Sequence, residues 1–326
     1  MTTATQGWAV LPSADSWVLL STTDGWRHVS NASPLAVPTS GGLVMATDAA
    51  TLAVAVGTYK RLTQSPLVKR DVSATNWSAD ELPGSVRDAR GALSVTGTVL
   101  SAVLADHAGG TVLVNKDGSW RTVAAAHALD PSGAFFLDGI TWLDASHGWA
   151  RGHRARGVGP VVFETNDAGT TWHPVNVGGL AAVSALQPCG SGAQWLIPIV
   201  RDDHSLVVLA TADSGASWSA GAALTLTSGA PVVGCDGKDV WATAPADSSA
   251  APSVVASSDS GRSWRRTGAA PAHLRDLAPV GDGLGYATSQ EHKKATLWRV
   301  SGDGSTFSKI PLPSWVATIG ANEATS

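Results

Sequence analysis

The side chains that could do chemistry are few in kind. The 326-residue chain has nine histidines, 26 acidic and 22 basic residues, two cysteines and two tyrosines. The stretch TNDAGTTW (165–172) sets a lone carboxylate, Asp167, among hydroxyls and beside a tryptophan. In isolation that arrangement suits a catalytic or metal-binding group. Cationic candidates are Lys60, Arg61, Arg87, Arg90, Arg154 and Arg156, followed by Arg201 and His204. Guanidinium forks suit carboxylates and other acidic partners, whereas ordinary solvated loop charge is the plain alternative. The histidines show no H-x-H or HExxH spacing, so no metal site is expected. No G-x-S-x-G elbow, P-loop or Cys–His arrangement is present. A glycosidase would need two convergent carboxylates. Asp202, Asp203 or Asp276 could supply them, but nothing selects a pair. The residues therefore nominate no catalytic group and no cofactor.

The elements that must carry these groups emerge from internal self-similarity. TNDAGTTW recurs as TADSGASW (211–218) and SSDSGRSW (257–264). Shorter relatives are TTDGW (22–26), NKDGSW (115–120) and SGDGSTF (301–307), and RDVSATNW (70–77) has lost its glycine. The aspartates are Asp24, Asp71, Asp117, Asp167, Asp213, Asp259 and Asp303, spaced by 47, 46, 50, 46, 46 and 44 residues. A second marker keeps the same beat. Trp8, Ala53, Leu100, Trp149, Trp195, Trp241 and Tyr286 lie in strand-like runs spaced by 45, 47, 49, 46, 46 and 45.

Each unit reads as four short strands: apolar and β-branched runs bounded by Gly, Pro, Asp and Ser. In the fourth unit these are GITWLD, GWARG, PVVFET and TWHPVNV. Four strands per unit of about 45 residues is the β-propeller pattern. The expected fold is all-β, a single seven-bladed β-propeller of four-stranded antiparallel blades over residues 1–326. The first unit lacks an initial strand, so SWVATIG (314–320) is expected to supply it and close the ring, which would protect the open edges.

S/T-x-D-x-G-x-x-W resembles the Asp-box, or bacterial neuraminidase repeat, in three full copies and four partial ones across the whole chain. The HGWA run (147–150) is similar to the repeat of photosystem II stability/assembly-factor-like propellers. In Asp-box families the motif is a structural hairpin turn on the rim, away from the active site. The physics agrees. Asp can accept bonds from backbone N–H groups a few residues on, Gly supplies positive φ, and Trp packs between neighbouring blades. Asp24, Asp117, Asp167, Asp213, Asp259 and Asp303, with Trp172, Trp218 and Trp264, are accordingly read as scaffold. Sialidase activity is not expected: Tyr59 is the one tyrosine outside the core position, and the R-I-P sequence is missing. The resemblance to assembly-factor-like propellers implies a scaffold in an extracytoplasmic complex.

Antiparallel strands place all the Asp turns on one face. Binding is then expected on the other, through the b–c and d–a loops that carry Lys60, Arg61, Arg87, Arg90, Arg154, Arg156, Arg201 and His204. Trp17, Trp142, Trp298 and Trp315 are the aromatics that could face a central channel and stack on a sugar. Cys189 and Cys235 stand one repeat apart, at the ends of equivalent strands. They can bond if their Cα atoms lie within about 7 Å, and a bond would indicate an oxidising compartment. The net charge of −4 gives no general pull toward nucleic acid. No apolar run approaches 18 residues, and MTTATQGWAV carries no leader-like segment. The expectation is a monomeric, secreted or extracytoplasmic propeller that binds a protein or peptide without catalysis, an acidic one suiting the arginine forks. The alternative is a carbohydrate-active protein, lectin or glycoside hydrolase, with its site at the channel mouth.

Overall fold

The computed structural model describes residues 5–13, 16–34, 37–38, 42–48, 51–57, 67–80, 92–97, 99–104, 109–116, 118–175, 179–226, 231–244, 252–291 and 294–317. The chain divides into two compact units, residues 37–185 and residues 1–36 with 186–326.

Unit 37–185 holds three antiparallel groups. Gly42–Thr47, Thr51–Gly57, Leu67–Asp71 and Ser78–Asp80 form the first. Ala92–Thr96, Val99–Leu104, Thr111–Lys116 and Ser119–Ala125 form the second. Phe135–Trp142, Gly148–Arg154, Val162–Thr165 and His173–Pro174 form the third, preceded by the one-turn helix Ala126–Leu129. The short strand Ala182–Ala185 adds a single bridge, His153 opposite Ser184. The middle strands are covered on both faces, so they read as apolar runs rather than as alternation. VLSAVL (99–104) is buried at its first five positions. The core gathers Val99, Val103, Val112, Phe135, Ile140, Trp142 and Phe163, with the Phe135 and Phe163 rings meeting edge-on at 5.1 Å.

Unit 1–36 with 186–326 repeats the scheme. Gly7–Ser13 pairs with Ser16–Thr22, which pairs with Ser30–Asn31. Cys189–Ser191, Gln194–Arg201, Ser205–Thr211 and Ser219–Ala220 follow in antiparallel order. So do Val233–Asp236, Asp239–Ala244, Ser253–Ser257 and Arg265–Ala269. The last group is Leu274–Pro279, Gly285–Glu291, Lys294–Ser301 and Thr306–Lys309. Its fourth strand, TFSK, is largely exposed, whereas the second strand begins with three buried residues, Gly285, Tyr286 and Ala287.

The C-terminal segment differs from expectation. Ser314–Ala317 is a 3-10 turn and not a strand, and 318–320 lie outside the described residues. Pro311 and Pro313 precede it; each lacks an N–H for a ladder, and each sets a φ suited to a turn. The turn closes through Val316 N–H to Pro313 O at 3.0 Å. Its apolar side chains still pack inward: Val316 and Trp315 join Leu11, Val18, Leu20, Trp26, Tyr286 and Leu297 in one cluster.

Cys189 and Cys235 are disulfide-bonded with Cα atoms 5.8 Å apart, inside the usual range for a bridge. The bond joins the first strands of two successive groups, above Leu196, Val208 and Val240.

Candidate functional site

The repeated turns are built alike. In the turn at Asp167, the Thr165 hydroxyl donates to Asp167 Oδ1 (2.9 Å) and accepts from Gly169 N–H (2.9 Å). Asp167 Oδ1 accepts from Thr171 N–H (2.8 Å), and Oδ2 accepts from the Thr171 hydroxyl (2.6 Å). Thr211–Asp213–Ser217 and Ser257–Asp259–Ser263 repeat every one of these bonds. The backbone turns through two successive positive-φ residues, Ala168 (58°) and Gly169 (82°). The glycine is thus only half of the conformational demand.

These bonds dictate the electrostatics. The hydroxyl and then the amide of Thr171 hold the Asp167 carboxyl at about 2, and Ser217 and Ser263 do the same for Asp213 and Asp259. Asp24 is held at about 2 by the His28 amide and then its imidazole, whose Nδ1 lies 2.5 Å from Oδ2. A carboxylate whose lone pairs are filled by its own turn is poorly placed to bind substrate or transfer a proton.

Two of the tryptophans tie their turns to the preceding group. Trp172 Nε1 donates to Val123 O (3.0 Å), and Trp264 Nε1 donates to Ala222 O (3.0 Å). Trp218 is half-buried. Asp303 departs from the pattern. It adopts positive φ itself (56°), the position Ala168 holds, and its carboxylate meets Arg265 at 2.9 Å. In TTDGW, with the same Asp-Gly spacing, Gly25 and Trp26 take the two positive-φ positions and Asp24 keeps its bond to Thr22; in SGDGSTF Asp303 itself takes one of them. Asp117 lies outside the described residues.

The opposite end of the Phe135–Trp142 group is where the basic candidates can be judged. Lys60, Arg61, Arg87 and Arg90 lie outside the described residues. Arg154 is no loop residue: it ends the strand Gly148–Arg154 and pairs with Phe135. Its side chain is only 9% exposed and meets Asp130 at 2.8 Å. Burial works against the Asp130 charge, but the Ser132 hydroxyl and amide, and then Arg154, hold the carboxyl below its ordinary value. The guanidinium also reaches Pro160 O and Ser132 Oγ, both at 3.4 Å. Ala155 N–H to Ala134 O (2.9 Å) and Gly159 N–H to Ala182 O (3.2 Å) complete the brace. Arg154 is therefore a positioning residue for loop 155–160. That loop presents Arg156, exposed, and Val158, 47% exposed and the one large hydrophobic so displayed among the described residues.

Arg201 lies 3.2 Å from Asp203, whose own carboxyl is kept low chiefly by the Ser205 hydroxyl. His204 is exposed at the hairpin tip with φ 57°. No hydrogen bond or ion pair joins Asp276 to Asp202 or Asp203 among the described residues. Crowding by protein pushes the Asp276 carboxyl up, although the residue still meets solvent. The proposed sugar platforms are largely occupied. Trp142 is 2% exposed and packs edge-on against Trp172. Trp298 bonds Ser289 Oγ (2.8 Å) and lies under Lys309. Trp17 is half-buried, and Trp315 belongs to the C-terminal turn.

A second cluster, on the same group, was not singled out from the sequence. His153 stacks on Phe136 (centroids 5.4 Å apart, 13° between planes) and its Nδ1 lies 2.7 Å from Asp138 Oδ2. Two residues earlier, Arg151 lies over Gly139 and donates to Ala185 O at 3.4 Å. The available signal was the alternation of Arg151 and His153, which puts both on one face of a strand. No group of three metal-ligating side chains occurs among the described residues, and no helix there is long and apolar enough to cross a membrane.

No family model matches this chain, and no curated protein matches its sequence. Solved structures do. A GH74 xyloglucanase from Xanthomonas campestris is 15% identical with a TM-score of 0.62, over 91% of this chain and 51% of the enzyme. The chain thus spans about half the length of that enzyme. YCF48 bound to D1 peptide is 13% identical with a TM-score of 0.58, over 93% of this chain and 92% of that protein. An oligogalacturonate lyase in complex with manganese is 12% identical with a TM-score of 0.61, over 92% and 84%. These neighbours are β-propellers, and the likeness is one of fold.

Proposed function

We propose that this chain is a seven-bladed Asp-box β-propeller that binds a protein or peptide partner and catalyses no reaction. The seven repeat units and the packing of Val316 and Trp315 against the first strands support a ring closed by its two ends. The disulfide supports an extracytoplasmic setting. The observation that carries the binding role is loop 155–160. A buried Arg154–Asp130 pair holds it from beneath, while Arg156 and Val158 stand outward at its tip. A rigid loop offering one cation and one apolar side chain loses little entropy on binding. Charge complementarity points to an acidic peptide with an apolar neighbour. YCF48, a fold neighbour, binds a peptide, which is compatible with this reading. The carbohydrate-active alternative draws on Phe136 beside Asp138, but one face of that ring is already covered by His153.

The test is an acidic-peptide display run beside a glycan array. Arg156→Ala should weaken the selected peptide about tenfold, the loss of roughly 1.4 kcal/mol that separates a modest hot spot from a neutral contact. Arg154→Ala should weaken it as well, and should also expose loop 155–160 to proteolysis, which Arg156→Ala should not do. Glycan binding without peptide binding, or peptide binding indifferent to Arg156, would overturn the proposal.

A further inference from the structure

We propose that Asp282–Gly283 is a site of spontaneous covalent modification, at which the Gly283 amide nitrogen closes on the Asp282 side chain and the resulting succinimide reopens as isoaspartate. This site does not depend on a peptide partner.

The sequence offers six Asp–Gly pairs, with aspartates at 24, 117, 138, 236, 282 and 303. Glycine hinders attack on the preceding side chain least, since it carries no Cβ. The pairs differ in how far each carboxylate and each amide is already committed. Asp24 accepts from the Thr22 hydroxyl and the Arg27 and His28 amides, and the Gly25 N–H donates to Thr5 O. Asp138 Oδ2 lies 2.7 Å from His153 Nδ1, and Gly139 sits in the ladder. Asp303 meets Arg265 at 2.9 Å. Asp117 lies outside the described residues. Asp236 ends a strand, paired with Asp239. Asp282 is exposed and lies in no strand. Neither its carboxylate nor the Gly283 N–H makes a hydrogen bond among the described residues.

The backbone explains why this pair persists. Gly281, Asp282 and Gly283 are three successive positive-φ residues, at 87°, 52° and 68°. An L-residue is disfavoured there by its Cβ, and its mirror image is not. A Cβ at Gly283 would lie 2.6 Å from Asp303 Oδ1. The glycine that the turn requires is thus the one that leaves the Asp282 carboxyl open to attack. Gly302, Asp303 and Gly304 share this backbone, at 62°, 56° and 89°, but there Arg265 holds the carboxylate.

The step balances with water alone. The N–Cγ bond forms, one Cγ–O bond breaks, and the carboxyl hydroxyl leaves with the amide proton as water. Water then adds to one of the two imide carbonyls. Opening at the main-chain carbonyl sends the chain through Cγ and adds a methylene to the backbone; opening at Cγ restores aspartate. Exchange of the Cα proton in the ring also yields the D-residue, which positive φ favours.

The added methylene has a structural consequence. Gly283 O accepts from Asp303 N–H (3.2 Å), as Ser146 O does from Ala168 N–H (2.8 Å), Ala193 O from Ser214 N–H (3.0 Å) and Lys238 O from Ser260 N–H (2.9 Å). In these groups the bond ties the Asp turn to the hairpin of the first two strands. Isoaspartate at 282 displaces the acceptor in the last of them.

The experiment incubates the full folded chain for weeks, maps its peptides by mass spectrometry, and counts isoaspartate with an isoaspartyl carboxyl methyltransferase and labelled S-adenosylmethionine. Isoaspartate at 282 should exceed that at 24 and at 138 by at least about tenfold, since those carboxylates must first give up their hydrogen bonds. Incubation in urea should level the pairs and lower the D share at 282. Asp282→Gly, which suits positive φ, should remove the signal at this position. Asp282→Asn should convert faster, because ammonia leaves more readily than water. Hydrogen exchange at the Asp303 amide should quicken in the aged protein. Arg156→Ala should change none of this, which separates the site from the peptide reading. Absence of isoaspartate at 282, equal conversion at 24 and 282 in the folded chain, or conversion concentrated at 236 would overturn the proposal.

Discussion

Removing the Cys189–Cys235 bond should lower the melting temperature by about 6 °C. The bond closes a loop 46 residues long. In the chain-entropy model a loop of that length restricts the unfolded state by about 4 kcal/mol at 25 °C. Unfolding entropy runs at about 2.1 cal/mol/K per residue, or about 0.7 kcal/mol/K for a chain of 326 residues. Their ratio gives the shift. Native geometry contributes no obvious offset, because a Cα separation of 5.8 Å is ordinary for a bridge. Both cysteines are half-buried over Leu196, Val208 and Val240, so serine would set two hydroxyls against an apolar floor and could only enlarge the loss. The assay is calorimetry on the wild type, the wild type with reductant, and Cys189→Ser/Cys235→Ser, with thiols counted after denaturation without reductant. The reduced wild type should melt about 6 °C below the oxidised protein, and the double variant at or below the reduced wild type. Two free thiols in the unreduced protein would refute the reasoning outright. An oxidised wild type melting within about 1 °C of the variant would show that the loop is not constrained in the way the strands imply.

Acid should loosen the repeated turns. Asp24, Asp167, Asp213 and Asp259 sit at about 2, below the ordinary 3.8. A depressed carboxyl contributes stability that is whole above about pH 4 and is lost as pH falls toward about 2. Urea midpoints measured across that window should decline, and Asp167→Asn should make the decline shallower; a midpoint indifferent to pH there would contradict the bonding seen in the turns. Glycine substitutions separate backbone from packing. Gly118 and Gly169 both sit at φ +82°, but a Cβ on Gly118 meets nothing, whereas on Gly169 it lies 2.7 Å from Val123 Cβ. Gly118→Ala should cost about 1 kcal/mol from the left-handed backbone, and Gly169→Ala about 1–3 kcal/mol more from overpacking. Equal losses in chemical denaturation would mean that the turn does not press on the preceding strand as described.

The strand organisation was legible because it is repeated. One turn with hydroxyl, aspartate, glycine and tryptophan is ambiguous; the same spacing at Asp167, Asp213 and Asp259 is not, and the structure gives those three turns one set of bonds. The shortened turn at Asp24 keeps its bond to Thr22, with Gly25 and Trp26 at positive φ. SGDGSTF looks like a member of the series, yet Asp303 itself takes the left-handed position and turns toward Arg265. The C-terminal strand failed for a different reason. Apolar residues at 315 and 316 show that the segment is buried, which they are, but burial does not choose between strand and turn. The prolines at 311 and 313 do, since neither can donate to a ladder.

The site was harder to see because strands run on past their apolar cores. GITWLD marks the strand Phe135–Trp142 only from residue 139, which leaves out Phe136 and Asp138. GWARG stops before His153 and Arg154, which the chain keeps in the ladder. Gly152 is the reason the pattern seemed to end there, and the structure shows what that glycine does: a Cβ would collide with Phe136 O at 1.9 Å. A residue that looks like a loop signal is in fact the one that lets the strand pass close to its neighbour. The strand bounds separate the surroundings of two arginines. Arg154, taken for a surface ligand, is spent on Asp130. Arg151, taken for the end of a core strand, lies over a glycine beside a histidine and a carboxylate. On an alternating strand, residues 151 and 154 fall on opposite faces. Their different surroundings therefore follow from the register of Gly148–Arg154 against Phe135–Trp142, not from the charge either residue carries.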